Sequence, residues 1–448
     1  MNNASVIFEK MRELIYSENF QRIHSVSDSY FIRKCKLTFF TTLFFIINQI
    51  KQSIGVEADK FCEQFLTNSF SKSAFSKARL KLNPMAFVEL NECLVNEFYK
   101  NMKLKTFHGL TIFAIDGSSV QLPQSDCIIN YYGFSCNQTN YIMPMAKASQ
   151  LYDVLNEITV EALLKPYKTS ERDMALKHIE ELSSMQKKWN IDCINRLSII
   201  IFDRGYPSIS FIVHSLHNNV EFLMRSSKSF IKQVVDVESS GKKDKIIEIS
   251  LKKLSRAEKD ELLSCFPNID LNEIIRLRVI IVKLDTGENE ILITSLLDKK
   301  KYPYKIFKEF YFKRWGIESD YGFQKVRAEI ENFSGKSIIS VQQDFHSTIL
   351  VKNATTLLAM DAQKEIDLDL KIKNRKFEYD INFSQAFGKM KNRFIEVLID
   401  TNIDLSDFCK KMRVLMKREL EPKRPGRHFK RKLKCPGKKF HMNARRVA

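Results

Sequence analysis

The sequence has no CxxC pair, and its nine cysteines are not accompanied by a histidine pair at a zinc-ligand interval. That argues against a zinc module and a disulfide framework, and predicts reduced, mostly buried thiols. A long apolar run is also missing. The most apolar stretch, "LTFFTTLFFIINQI" at 37–50, spans 14 residues and contains three threonines, too short to cross a bilayer, so it reads as a buried helix. The amino terminus, "MNNASVIFEKMRELIYS", carries acids and no continuous apolar core. It does not resemble a secretory signal, and the protein is expected to stay in the cytoplasm with no membrane partner. No internal repeat is visible, and acids vanish between Lys423 and Arg446, where eleven residues are basic.

What is present is a chain of 448 residues, 44% hydrophobic, long enough for two or three domains and a substantial core. Lysine and arginine number 72 against 53 acids, a formal charge of +19; without the eleven tail cations the remainder still carries +8. A polyanion is the natural partner, because each neutralised phosphate releases counterions. A membrane surface or plain solubility are the competing explanations of such charge.

Residues 1–105 alternate helix-like apolar spacing with polar joints and read as a helical N-terminal domain, a candidate for binding nucleic acid. Within it Ser73 to Leu82 has two readings: a recognition helix with Lys77, Arg79 and Lys81 facing phosphates, or a solvated basic face. The pattern changes at "LTIFAIDGSSVQLP", where Leu110 to Ile115 form an apolar strand running into a turn at Asp116-Gly117. "RLSIIIFDRGYPS" repeats the device: Leu197 to Phe202 read as a strand buried on both faces that stops at Asp203. Between them lie two strands joined near Asp153 to Asn156 and a helix opened by a Ser170 to Asp173 capping box. A helix from Pro207 to His217 and the strand "VEFLMRSS" follow. Residues 106–228 thus predict a mixed sheet covered by helices. Residues 229–302 read as a β-rich insertion with a hairpin at Asp285 to Glu290. Residues 303–400 return to helix, and 401–448 hold a C-terminal helix and the basic tail.

Past the insertion comes "YFKRWGIESDYGFQKVRAEIENF", 311–333. On a helical wheel Tyr311, Arg314, Glu318 and Lys325 share one stripe about 60° wide. Phe312, Trp315, Phe323, Val326 and Ile330 form an apolar face beside it, which is expected to be buried. Arg314 and Glu318 alone could be an ordinary i,i+4 pair, and Asp116 and Asp203 could simply open turns. In open sheets, however, ligands gather beyond strand ends, so the two aspartates are candidate neighbours and a helix packed by its Trp315 face would deliver Glu318. Three carboxylates at one point call for cations, and oxygen-only ligands suit Mg²⁺, with Mn²⁺ as the alternative. Two such ions about 3.5 to 4 Å apart would activate a water or 3′-hydroxyl for attack on a phosphodiester.

"FAIDGSS", "IIIFDRGYPS" and "YFKRWGIESDYGFQK" resemble the three acidic blocks of bacterial DDE transposases of the insertion sequence four family. The last matches that family's Tyr, two residues, Arg, three residues, Glu, six residues, Lys pattern without a gap, and the resemblance spans about 110–400. It implies an RNase H-like α/β core, with Asp116, Asp203 and Glu318 holding two metal ions and Tyr311, Arg314 and Lys325 gripping phosphates at the transposon end. It further implies double-stranded DNA as partner, a homodimer when two ends are synapsed, and residence at the bacterial nucleoid. Arg204 either touches DNA or orients Asp203. The activity implied is hydrolysis at the element ends and strand transfer into target DNA; a nuclease without strand transfer and an inactive DNA-binding relative are the alternatives. One feature departs from the pattern. Some relatives hold a flipped base on a tryptophan of the insertion, whereas 229–302 contains none and Trp315 is assigned to the core.

Overall fold

Thr38 caps the most apolar stretch of the chain, its hydroxyl accepting from the Thr41 N–H, and the helix that follows is buried along most of its length. The structure is a computed structural model that describes residues 3–33, 35–65, 68–136, 140–189, 197–284, 287–373 and 377–423. Its N-terminal part is helical: α1 (Asn3–Ile15), α2 (Glu18–His24), α3 (Phe39–Ile47), α4 (Ile54–Phe65), α5 (Lys72–Arg79) and α6 (Met85–Asn101).

The middle of the chain builds a sheet. In order come β1 (Leu110–Gln121), α7 (Asp126–Tyr132), β2 (Phe134–Cys136), β3 (Ile142–Asp153), β4 (Ile158–Pro166), α8 (Glu171–Lys188), β5 (Leu197–Phe202), α9 (Ile209–His217) and β6 (Glu221–Ser226). Strands β4, β3 and β1 pair antiparallel, while β5 lies parallel to β1 and β6 parallel to β5. This is the RNase H-like α/β arrangement. Ile199 to Phe202 are fully buried because helices cover both faces at the sheet's centre, which is why β5 shows no polar alternation.

Residues 229–302 supply α10 (Lys232–Ser239), β7 (Asp244–Ser250), α11 (Arg256–Cys265), β8 (Ile274–Lys283) and β9 (Asn289–Thr294). The β-rich segment extends the same sheet: β9 pairs antiparallel with β6, and β8 and β7 follow, giving nine strands. Of the expected hairpin turn, Asp285 and Thr286 lie outside the described residues. Fully buried Arg278 fixes this edge, forking onto Asp244 at 2.6 and 2.9 Å and donating to the Tyr302 carbonyl.

The chain closes with α12 (Phe307–Phe312), α13 (Trp315–Val326), α14 (Ile338–Lys373), β10 (Tyr379–Ile381), α15 (Phe383–Met390), α16 (Arg393–Ile399), α17 (Leu405–Met416) and β11 (Leu420–Pro422). Helix α14, about 54 Å long at 1.5 Å per residue, joins the N-terminal helices to the sheet. It carries a buried polar set, and Arg79 of α5 is spent on it. The guanidinium bonds Gln343, Ser334 and, at 2.7 Å, Asp344, and it is 2% exposed. The phosphate-facing reading of α5 therefore fails at Arg79: a cation paired inside the core cannot meet DNA. Lys77 is exposed, and Lys81 lies over the Tyr30 ring.

Seven cysteines among the described residues are free, but Cys35, Cys127, Cys136 and Cys265 are exposed, so the expectation of mostly buried thiols does not hold. Among the described residues no helix is long and apolar enough to cross a membrane. The basic tail after Lys423 lies outside the described residues.

Candidate active site

Strand β1 does not stop at Asp116. It runs on to Gln121 because β3 continues beside it, Asp116 facing Gln150 across the ladder. What ends there is the other neighbour: β5 pairs with β1 from Leu110↔Leu197 to Ala114↔Ile201 and finishes at Phe202. The last pair, Ala114↔Ile201, leaves Asp116 and Asp203 each two residues further along its own segment. Strand alternation decides the face: Ile112, Ala114 and Asp116 point one way, as do Ile199, Ile201 and Asp203. Ile112, Ile199 and Ile201 pack there against Phe307, Phe310 and Tyr311 of α12, and Ala114 against Ile317 and Tyr321 of α13. The two aspartates therefore open toward the pair of helices that carries Glu318.

Those helices are not the single helix expected over 311–333. Lys313 and Arg314 form a tight joint, with the Arg314 N–H on the Tyr311 carbonyl, Gly316 on Lys313 and Ile317 on Arg314. These i→i−3 bonds shift the helical phase. The second helix ends at Val326, and Glu329 adopts φ 49°, so Ile330 lies beyond it.

The buried face also differs from expectation. Phe312, Trp315 and Val326 are 68, 48 and 50% exposed, while Arg314, Ile317, Asp320, Tyr321 and Gln324 are buried. Polar groups can line this inner face because each finds a partner. Asp320 meets Lys352 of α14 at 2.8 Å, Gln324 and Gln150 exchange amide bonds, and Tyr321 donates to the Asp116 carbonyl at 3.0 Å. Gly316 permits the approach, since a Cβ there would stand 2.7 Å from a Val154 methyl. The signal available in the sequence was this glycine flanked by Ile317, Tyr321 and Gln324 at helical spacing.

The predicted site residues gather here. The Tyr311 hydroxyl donates to Asp203 Oδ1 at 3.3 Å, and Arg314 Nη2 meets Glu318 Oε1 at 2.6 Å. The charge of the same guanidinium also acts on Asp203 and on Asp116. Its Nε is buried without an acceptor. Burial pushes the Asp116 carboxyl up to about 6; the Gly117 N–H and Arg314 oppose the rise, and Glu318 and Glu171 add to it.

Lys325 is placed differently from a free phosphate grip: its ammonium bonds Ser118 Oγ at 2.7 Å and the Ser119 carbonyl at 2.6 Å, fastening α13 to β1. Arg204 is exposed in the loop after β5. Among the described residues no group of three or more histidine, cysteine or acidic side chains stands ready to hold a metal ion. Sequence reasoning did not single out Glu171, Tyr206, Gln150 or Lys352.

Beside the acids a cleft of about 610 Å³ opens between the sheet extension and α12, lined by Arg225, Glu290, Lys308, Tyr311, Phe312, Arg314 and Trp315 among others. It presents two exposed aromatic rings and several cations next to the carboxylates, a surface suited to nucleic acid.

The sequence model described as "Transposase DDE domain" matches residues 107–353, from just before β1 into α14, and so takes in Asp116, Asp203 and Glu318. The chain belongs to the DDE transposase family. No curated protein matches it. Among solved structures it is similar to the piggyBac transposase synaptic complex with hairpin DNA, determined by cryo-electron microscopy, at 10% identity over 92% of this chain and 85% of that one, with a TM-score of 0.44.

Proposed function

We propose that this chain is a cut-and-paste DNA transposase of the insertion sequence four type, which hydrolyses the phosphodiester at the ends of its own element and joins the freed 3′-hydroxyls to target DNA. Asp116, Asp203 and Glu318 are its catalytic carboxylates, and Tyr311, Arg314, Glu318 and Lys325 its signature. What supports the reading is the β1/β5 register, whose last pair, Ala114↔Ile201, leaves Asp116 and Asp203 each two residues on, at the end of the sheet that α12 and α13 cover.

The donor chemistry, carboxylate oxygens alone, is of the kind that suits a pair of Mg²⁺ or Mn²⁺ ions, although among the described residues the three acids are not gathered closely enough to hold one. Bound there, such ions would supply acidity to the attacking water or 3′-hydroxyl and neutralise charge on the leaving oxygen. The chain's own groups do the positioning. Arg314 keeps Nε free for a phosphate oxygen while Nη2 holds Glu318, and an arginine fork suits both tasks. Tyr311 holds Asp203. Lys325 secures the Glu318 helix to β1, and Arg204, exposed in the loop after β5, is a further cation for the DNA backbone. Phe312 and Trp315 offer stacking faces to the DNA end. Synapsis of two ends implies a homodimer, working at the bacterial nucleoid.

Incubation of the protein with a labelled element end, a target plasmid and Mg²⁺ tests the reading. Joined product is expected; cleavage with no joined product would favour a nuclease, and tight end binding without cleavage would favour an inactive relative.

A further inference from the structure

Strand β4 is an edge of the nine-stranded sheet, paired with β3 alone. The phase of the ladder shows which of its main-chain groups face outward. The Leu122 N–H bonds the Pro144 carbonyl and the Val154 N–H the Ile112 carbonyl, so even-numbered residues of β3 turn their main chain to β1 and odd-numbered ones to β4. Leu151, Ser149 and Lys147 therefore serve Glu161, Leu163 and Lys165, their partners in the register. Ala162 and Leu164 are left with N–H and C=O pointing away from the sheet.

The fold closes this edge at both ends and not between them. At one end Asn353 of α14 accepts from the Thr159 N–H at 3.0 Å and donates to its carbonyl at 2.7 Å, and Asn91 of α6 donates to the Thr159 and Val160 carbonyls at 3.4 Å. At the other the Tyr167 N–H bonds the Tyr132 carbonyl at 2.7 Å. Among the described residues no group bonds the outward main chain of Ala162 or Leu164. A cleft of about 230 Å³ follows the edge there, walled by α6, α8 and α14, with Val88, Met185 and Ile349 among its apolar lining. An open edge is a template for a further strand.

The charge of the cleft narrows what that strand is. In a chain of net charge +19 the lining is acidic, Glu92, Glu161 and Glu181 against Lys165. His178 holds Glu161 at 2.7 Å, but Glu92 and Glu181 enter no ion pair among the described residues. Burial and the neighbouring Glu181 raise the Glu92 carboxyl, with Lys188 opposing. Such a lining repels nucleic acid and suits a cationic segment.

The chain carries one. Eleven basic residues and no acid lie between Lys423 and Arg446, and Phe429, Arg431 and Leu433 alternate with Lys430, Lys432 and Lys434. In an extended segment that spacing sets two apolar side chains on one face and three lysines on the other. The segment also reaches. The described chain ends beside β11, whose Pro422 pairs with Tyr379, and Gln363 of α14 donates to the Tyr379 carbonyl. Ile349, on the cleft, stands 14 residues earlier in the same helix, about 21 Å at 1.5 Å per residue. The 25 residues after Lys423 span up to about 80 Å when extended.

We propose that residues 424–448 dock as an extended strand on the open edge of β4 of their own chain, pairing with the main chain of Ala162 and Leu164 and setting lysines against Glu92 and Glu181. The docked tail is withheld from nucleic acid, and DNA releases it by competing for the same cations. This goes beyond the catalytic assignment and does not depend on it.

Brief trypsin digestion of the full chain, with tail fragments counted by mass spectrometry, tests the dock, because a paired strand is withheld from the protease. Ala162→Pro removes an outward N–H, keeps the bonds to β3 and alters no charge; Glu92→Gln combined with Glu181→Gln removes the free acids. Both variants are expected to have their tails cut several-fold faster than wild type and to bind a non-specific duplex more tightly at low salt. Circular dichroism checks that each is folded. Tail cutting at the wild-type rate in both variants would overturn the dock. A response to the acid substitutions alone would show a tail held by charge without strand pairing, and protection that fades on dilution would place it on another copy; either overturns the proposal as stated. Should Ala162→Pro not fold, the acid substitutions and the dilution series decide.

Discussion

Gln150 and Gln324 exchange amide hydrogen bonds in both directions, at 2.7 and 3.0 Å, and Gln150 is the cross-strand neighbour of Asp116. Through this pair, and through Tyr321 on the Asp116 carbonyl, the helix bearing Glu318 is fixed at the level of the strand bearing Asp116. Asp320 extends the network, meeting Gln324 on one side and Lys352 of α14 on the other.

That network makes a stability prediction. Lys352 and Asp320 are 2 and 3% exposed, so Lys352→Met strands a charge in the core and should cost about 3 to 5 kcal/mol. Adding Asp320→Leu removes the stranded charge and should recover most of the loss. Urea unfolding of the two variants checks both; a single variant as stable as wild type would show that the pair is not buried as described.

The same network explains which parts of the site were legible in the sequence. The acid after β5 could be read because that strand is apolar but for Ser198 and closes on Asp203, and the spacing from Tyr311 to Lys325 could be read because it is local. The inner face of α13 could not be read. A wheel assigns aromatics to the core, but Asp320 and Gln324 are buried by partners that lie 32 and 174 residues away in sequence, which leaves Trp315 outside. Glu171 and Arg79 escaped for the same reason, since each is defined by what a distant segment presents to it.

Asp203→Asn and Glu318→Gln should each reduce cleavage of an element end by roughly 10³-fold or more while leaving end binding nearly intact. A gel assay that resolves bound, nicked and joined DNA separates the two effects. Retained metal-dependent cleavage in Asp203→Asn would remove that residue from the catalytic set.

Trp315 is exposed beside Phe312 at the cleft, with Arg314 lying 5.2 Å from its ring. Absence of a tryptophan from 229–302 therefore does not leave the pocket without a stacking surface. Trp315→Ala is expected to weaken binding of an end carrying an unpaired base by about 1 to 3 kcal/mol, with a smaller effect on a fully paired end. Fluorescence anisotropy with the two DNAs measures the difference; equal losses on both would mean that Trp315 contributes no base stacking.

Deleting residues 423–448 removes eleven basic charges. DNA affinity should fall, and the slope of log K against log salt should become shallower by up to about 10. An unaltered slope would show that the tail does not neutralise phosphates.

Asp153 gives a pH prediction of its own. Its carboxyl is fully buried and accepts from the Tyr99 hydroxyl at 2.6 Å, Asn156 Nδ2 at 2.8 Å and the N–H groups of Leu155 and Asn156. Burial outweighs these donors and pushes the group up to about 6, against about 4 in an unfolded chain. An acid whose folded value is raised binds its proton more tightly in the native state, so its contribution to stability is complete below about pH 4 and is lost as pH rises through about 6, by on the order of 3 kcal/mol. Asp153→Asn keeps an acceptor for the two main-chain donors and cannot ionise. Relative to that variant, the wild type should lose unfolding free energy between pH 4 and 6, as measured by urea titrations at a series of pH values. Parallel profiles for the two proteins would mean that Asp153 stays ionised in the fold across that range, its four donors having overcome burial.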